Sequence, residues 1–227
     1  MHKFLTIVLL VIATTMTAQT TPSTKIIYVG DPMCSWCYGL TDELTEVLDH
    51  FDGKAEIEFV MGGLRPYYEV PMKEMQGFLS DHWKHVNEAS GQEFNYNILE
   101  RTDLRYDTEP PCRAVVAVKH LSGKNNAALF FKKTQRAFYY DNKDMNQASS
   151  YTDLLEDTGI KAEAFTKAFD SDEMKALVKK DFQMAANLGV NSFPTLVVQH
   201  NGQNTIVARG YAKSAAIIAN IDKVISQ

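Results

Sequence analysis

Two of the three cysteines in this 227-residue chain stand three apart, in Cys34-Ser35-Trp36-Cys37. Thiols at that spacing can close into a disulfide, reopen, and pass two electrons to or from another thiol pair. They can also supply half of a zinc tetrahedron, or lie as an inert pair. Their place in the fold decides which. The run Lys25-Ile26-Ile27-Tyr28-Val29 is β-branched and aromatic and stops at Gly30-Asp31-Pro32, so it reads as a buried strand ending in a turn. Leu40, Leu44, Val47, Leu48 and Phe51 then recur at spacings of three and four, which predicts a helix over 37–51 closed by Asp52-Gly53. A cysteine pair between strand and helix reads as a dithiol redox site. At a helix N-terminus, unpaired N–H groups and the positive end of the dipole favour thiolate, which makes Cys34 the expected nucleophile. Cys37, about one turn on, can attack a mixed disulfide at Cys34 and release the product. Trp36 is expected to pack at the lip of the site.

The competing uses of the cysteines are weaker. Zinc needs two more ligands, and Cys112 with six histidines, among them His82-x-x-His85, gives no common finger spacing, so no metal is expected. A purely structural disulfide across so short a loop would constrain the unfolded chain little. With 23 basic against 28 acidic residues, a formal charge of −5 and no basic run, the chain lacks the electrostatic footprint of a nucleic-acid binder. At 45% hydrophobic and 22% charged residues, it has the composition of an ordinary globular protein.

Around this turn the rest of the chain falls into segments. Lys3 followed by the apolar run from Phe4 to Ala13 reads as a signal peptide over 1–18, cut after Ala18; the run is too short to span a bilayer, so no membrane anchor is expected. Removal would place the protein in the periplasm or outside the cell, where disulfides persist. A second strand is expected at 57–61, parallel to the first across a right-handed β-α-β crossover. From 66 to 169 the chain reads as an inserted all-helical domain, with helices at 72–88, 110–121, 125–140, 151–157 and 161–169. A helix over 172–188 follows, then strands at 195–200 and 205–208 joined by Asn201-Gly202, a hairpin signal, and a last helix over 213–225.

The strand–turn–helix with its C-x-x-C, the helical insertion, and Ser192-Phe193-Pro194-Thr195-Leu196 before a hairpin together resemble the DsbA-like thioredoxin-fold oxidoreductases. Asp31-Pro32-Met33-Cys34-Ser35-Trp36-Cys37-Tyr38-Gly39 is most similar to their FrnE-type branch. The resemblance implies an α/β thioredoxin-like fold, a mixed central sheet flanked by helices, formed by 25–65 with 170–227 around the inserted helical domain at 66–169. It also implies that Pro194 is a cis-proline beside the active disulfide and that the backbone of Phe193 pairs with extended substrate. The activity implied is exchange of disulfides with cysteine-containing exported proteins through a redox-active Cys34–Cys37 disulfide. No separate cofactor is implied, a redox partner must recycle the dithiol, and a monomer is the default. A small-molecule isomerase or glutathione-linked enzyme, and a chaperone-like binding protein without turnover, are the alternative readings.

Two departures qualify the resemblance. Many thioredoxin-like proteins carry a buried carboxylate six residues before the first cysteine, where this chain has Tyr28, which leaves the proton relay for Cys37 unassigned. Ser35 and Trp36 supply no histidine to stabilise a thiolate, so the potential is expected to be less oxidising than that of DsbA, between about −130 and −250 mV. Cys112, after Pro110-Pro111 at the start of an apolar helix, reads as a buried packing thiol. A sharper reading makes it an accessory thiol able to trap or resolve a mixed disulfide, with Arg113 favouring its thiolate.

Overall fold

The computed structural model describes residues 24–226, so the expected signal peptide at 1–18 lies outside the described residues. Strand β1 (Thr24–Gly30) leads into α1 (Ser35–Gly39), α2 (Thr41–Phe51) and β2 (Glu56–Met61). Four helices follow: α3 (Gln76–Ser90), α4 (Glu109–Ser122), α5 (Lys124–Tyr139) and α6 (Ala162–Phe169). The chain closes with α7 (Asp172–Asn187), β3 (Thr195–His200), β4 (Gln203–Arg209) and α8 (Ser214–Ile225).

The strands form one sheet in the order β2-β1-β3-β4. Strand β1 runs parallel to β2, with Gly30 opposite Met61, and antiparallel to β3, with Val29 opposite Thr195. This mixture puts the carboxyl ends of β1 and β2 and the amino end of β3 at the same end of the sheet. Both faces are covered, which is why β1 reads as a continuous apolar run rather than an alternating one. Ile26 and Tyr28 belong to the large core shared with the helices, and Ile27 and Val29 to a smaller one with Val60, Ala185 and Val197. The β3–β4 hairpin turns through Asn201 and Gly202 at φ +49° and +79°, the two left-handed residues that a tight turn between right-twisted strands requires.

The helix expected over 37–51 is two helices. Leu40 separates them, and the Thr41 hydroxyl donates to the carbonyl of Tyr38 at 2.7 Å, a back-bond that bends helices. The helix expected at 151–157 is instead a 3-10 segment, Ala148–Leu155, whose Ser149, Ser150, Thr152 and Asp153 are residues of low helix propensity. The helix expected at 72–88 opens with a 3-10 turn, Met72–Met75, before α3, and a further 3-10 segment, Tyr96–Glu100, has no counterpart in the sequence pattern. Trp83, Phe94, Phe138 and Tyr139 knit the inserted helices together, and Tyr139 stacks on Tyr38 with ring centroids 4.8 Å apart. That contact fixes α1, which follows Cys34, to the helical insertion.

Candidate active site

The sharp turn after β1 brings Cys34 to the N-cap of α1, where its extended backbone (φ −89°, ψ 117°) opens the helix. Its N–H donates to the carbonyl of Asp31 at 3.0 Å, and its own carbonyl accepts from Tyr38 at 3.0 Å. Cys34 is 5% exposed and Cys37 1%, so the first cysteine is the one a partner can reach. Both are free thiols in the structure. Burial, and then the neighbouring Cys34, push the Cys37 thiol well above its ordinary pKa, so it waits protonated behind the first.

Phe193 and Pro194 meet Cys34 from the other side of the sheet end. The peptide bond between them is cis, and the Cys34 thiol donates to the carbonyl of Phe193 at 3.5 Å. The Phe193 ring is seated over Gly62: a Cβ there would lie 2.1 Å from the ring. Gly62, following β2, is thus what lets the Phe193 segment approach Cys34, while a Cβ at Gly63 would meet the Phe182 ring instead.

Trp36 turns outward and packs edge-on against His82 at 5.9 Å, with Tyr211 at 6.2 Å. His82 in turn stacks on Phe78, which is 60% exposed. Burial, and then His85, lower the His82 pKa, which favours the neutral ring that such packing suits. Phe78, His82 and Tyr211 therefore border the site beside Trp36. Periodicity could not reveal them, since Phe78 and His82 lie one turn apart on a helix whose other face carries the core.

Cys112 is fully buried, with its sulfur 3.4 Å from Oδ2 of Asp31. Burial and then the charge of Asp31 push its thiol well above the ordinary range. Arg113 does not serve it. The guanidinium pairs with Glu109 at 2.9 Å, donates to the carbonyl of Phe169 at 2.6 Å and lies over the Phe169 ring at 4.2 Å. The expectation that Arg113 favours a Cys112 thiolate is therefore corrected: consecutive helical residues point about 100° apart, and Arg113 faces α6 while Cys112 faces the turn.

Asp31 escaped the sequence reading except as a turn residue. It is fully buried, and its carboxylate accepts from the backbone N–H of Met33 at 2.8 Å and of Leu64 at 2.6 Å. Tyr28 occupies the position where many thioredoxin-like proteins carry a carboxylate; its buried hydroxyl faces the Cys37 sulfur, and burial, then Cys37, push its pKa well up. Two cavities of about 420 and 340 Å³ lie side by side between α2 and α5, and neither is lined by Cys34 or Cys37.

The thioredoxin family model matches residues 27–216. The chain belongs to the thioredoxin family. Among solved structures, a candidate protein disulfide isomerase from Nitrosomonas europaea is 31% identical and superposes with a TM-score of 0.82, over 90% of this chain and 98% of that one. The cytosolic disulfide reductase DsbM from Pseudomonas aeruginosa is 22% identical with a TM-score of 0.70, over 89% and 95% of the two chains. DsbA oxidoreductases share the fold at lower identity. Among curated proteins, the ClpXP adapter protein SpxH of Bacillus subtilis (strain 168) is 20% identical over 187 residues, 80% of this chain; the chain spans only 61% of that relative's length. The architecture is the DsbA-like one, a four-stranded mixed sheet with a helical insertion, and it supports thiol–disulfide oxidoreductase activity in general.

Proposed function

We propose that the protein is an exported thiol–disulfide oxidoreductase that exchanges disulfides with cysteines of protein substrates through Cys34 and Cys37. One observation carries the reading: the more accessible sulfur, at a helix N-cap, lies 3.5 Å from the Phe193 carbonyl, with the second cysteine buried behind it. In the oxidising direction, a substrate thiolate attacks Sγ of Cys34 in the Cys34–Cys37 disulfide. The sulfur–sulfur bond breaks, and Cys37 leaves with the electron pair and takes a proton. A second substrate thiolate then attacks the mixed disulfide and expels Cys34. The substrate has lost two electrons and two protons to the pair, which a disulfide-bearing partner must reoxidise; the reducing direction is the same sequence reversed. Export rests on the apolar run from Phe4 to Ala13.

A glutathione redox titration tests this, following Trp36 fluorescence with Trp36→Phe to separate the signal of Trp83, and confirming the Cys34–Cys37 bond by mass. A reversible two-electron transition between about −130 and −250 mV is expected; no transition would overturn the proposal. The likeness to an adapter protein favours a second reading, binding without turnover. Unchanged function in Cys34→Ala would establish that reading instead.

A further inference from the structure

The chain places a buried carboxylate not beneath Cys37 but within the redox turn itself. Oδ1 of Asp31 accepts from the N–H of Met33 at 2.8 Å, and Oδ2 accepts from the N–H of Leu64 at 2.6 Å and from the thiol of Cys112 at 3.4 Å. The Thr108 side chain adds a fourth bond. Thr108 caps α4, and its hydroxyl also accepts from the N–H of Arg65 at 3.0 Å. All four donors are neutral. Together they tie the residue before Cys34 to the loop leaving β2 and to the first turn of α4. From the other side, the Tyr106 hydroxyl clamps the carbonyl of Met33 at 2.7 Å.

Such a carboxylate is expensive to bury without a cation, and four neutral dipoles are what make it tolerable. Burial raises the Asp31 pKa while the amides of Leu64 and Met33 pull it back. Its charge acts on the same buried rings, Tyr28, Tyr106 and Tyr139, as a charge on Cys34 does, so the two share one low-dielectric neighbourhood.

We propose that Asp31 is a positioning residue for the redox turn, and that Cys112 serves it as a hydrogen-bond donor rather than as a third redox thiol. Asp31 fixes Met33, and through it the sulfur of Cys34. Its negative charge opposes a second one on the reacting sulfurs, which favours the disulfide over the thiolate-bearing reduced form. The inference rests on the redox reading above and adds to it the groups that set the balance.

The test measures the redox potential of the full mature chain at pH 7 and the pH profile of Cys34 alkylation by iodoacetamide, mapped by mass, in Asp31→Asn, Cys112→Ser and Cys112→Ala. Removing a like charge from the same buried neighbourhood is expected to favour thiolate by up to about tenfold. For a two-electron couple that raises the potential by up to about 30 mV, the full amount where thiolate dominates the reduced form. Asp31→Asn also turns an amide N–H toward one of two backbone donors, so the Cys112 pair guards against a variant that misfolds. Serine keeps a donor on Asp31 and should track the parent in both readouts. Alanine removes one of the four donors, makes the carboxylate easier to protonate, and should move both readouts in the direction of Asp31→Asn. A structural role alone would lower the melting temperature of Asp31→Asn and Cys112→Ala while leaving potential and alkylation unmoved, and that result overturns the proposal. So does any disulfide to Cys112 in the oxidised parent. If the parent shows no reversible couple, the redox reading fails, and the alkylation profile still tests Asp31 separately.

Discussion

Adding a single methyl group at Gly62 should show whether the Phe193 segment is held where Cys34 needs it. A Cβ at Gly62 would lie 2.1, 2.3 and 2.7 Å from three atoms of the Phe193 ring. Ordinary contact begins near 3.4 Å, so the ring must retreat by about 1.3 Å. Forcing a packed ring aside in this way costs about 1–3 kcal/mol. The ring cannot retreat without drawing on its own backbone, whose carbonyl lies 3.5 Å from the Cys34 sulfur. A displacement of about 1 Å at a reacting group can cost up to ~100-fold in rate. Gly62→Ala is therefore expected to lower the urea midpoint and to reduce kcat/KM for oxidation of a fluorogenic dithiol peptide by about 10- to 100-fold. Gly77→Ala is the control. It adds the same methyl to α3 with nothing within 4 Å, and should stabilise by up to about 1 kcal/mol. In a Phe193→Ala background the obstacle is gone, and Gly62→Ala should then cost little further stability. Parent-like stability and turnover in Gly62→Ala would refute the argument, and an undiminished cost in the Phe193→Ala background would refute the assignment to the ring.

Cys37→Ser should accumulate mixed disulfides at Cys34, visible as mass adducts removed by reductant, because the buried second thiol is no longer there to release them. Glu43 accepts from the Lys213 ammonium at 2.7 Å and from the N–H of Ser214, at the start of α8, at 2.7 Å. The Lys213 bond, before any other cause, holds its carboxyl below the usual range. A depressed carboxylate stabilises the fold above its unfolded pKa and loses that contribution as pH falls through the folded value. Glu43→Gln should accordingly cost about 1 kcal/mol near pH 7, as lost helix caps do, and the difference from the parent should close toward pH ~3 in urea titrations. Gly202→Ala forces a Cβ into a left-handed turn position, φ +79°, and should lower stability by about 1–2 kcal/mol without moving the redox potential.

Local signals in the sequence were enough for the frame that carries the chemistry. The run Ile26 to Val29 followed by Gly30-Asp31-Pro32 marks a strand and its end, and Leu44, Val47 and Phe51 do form the buried face of α2. Asn201-Gly202 places the hairpin to the residue. What stayed hidden depends on partners distant in the chain. Asp31 reads as an ordinary turn former because its burial is created by Leu64, Thr108 and Cys112, 33 to 81 positions away. Arg113 looked like a thiolate stabiliser because adjacency in sequence says nothing of direction on a helix, and Glu109, one turn earlier, claims it. Gly62 gives no local sign of its role, because the Phe193 ring that lies over it is far along the chain.

The sheet order explains why these scattered residues meet. In a pair of parallel strands both carboxyl ends emerge on one side, so the turn after β1 and the loop after β2 are neighbours. An antiparallel β3 delivers its amino end to the same side, which brings Phe193-Pro194 opposite the first cysteine. The helical insertion also begins at that end, since it follows β2, and the start of α4 returns there with Thr108 and Cys112. One reacting sulfur is therefore surrounded by four chain segments, each supplying something the others do not. The turn gives the helix terminus, Gly62 gives room, Phe193 gives a carbonyl and α4 gives donors for the buried charge. In this chain the position of Tyr28 holds no carboxylate, and the buried carboxylate of Asp31 grips the backbone before Cys34. A chain built this way should control its chemistry through the placement of the nucleophile, and substitutions in α4 should reach the potential only through Asp31.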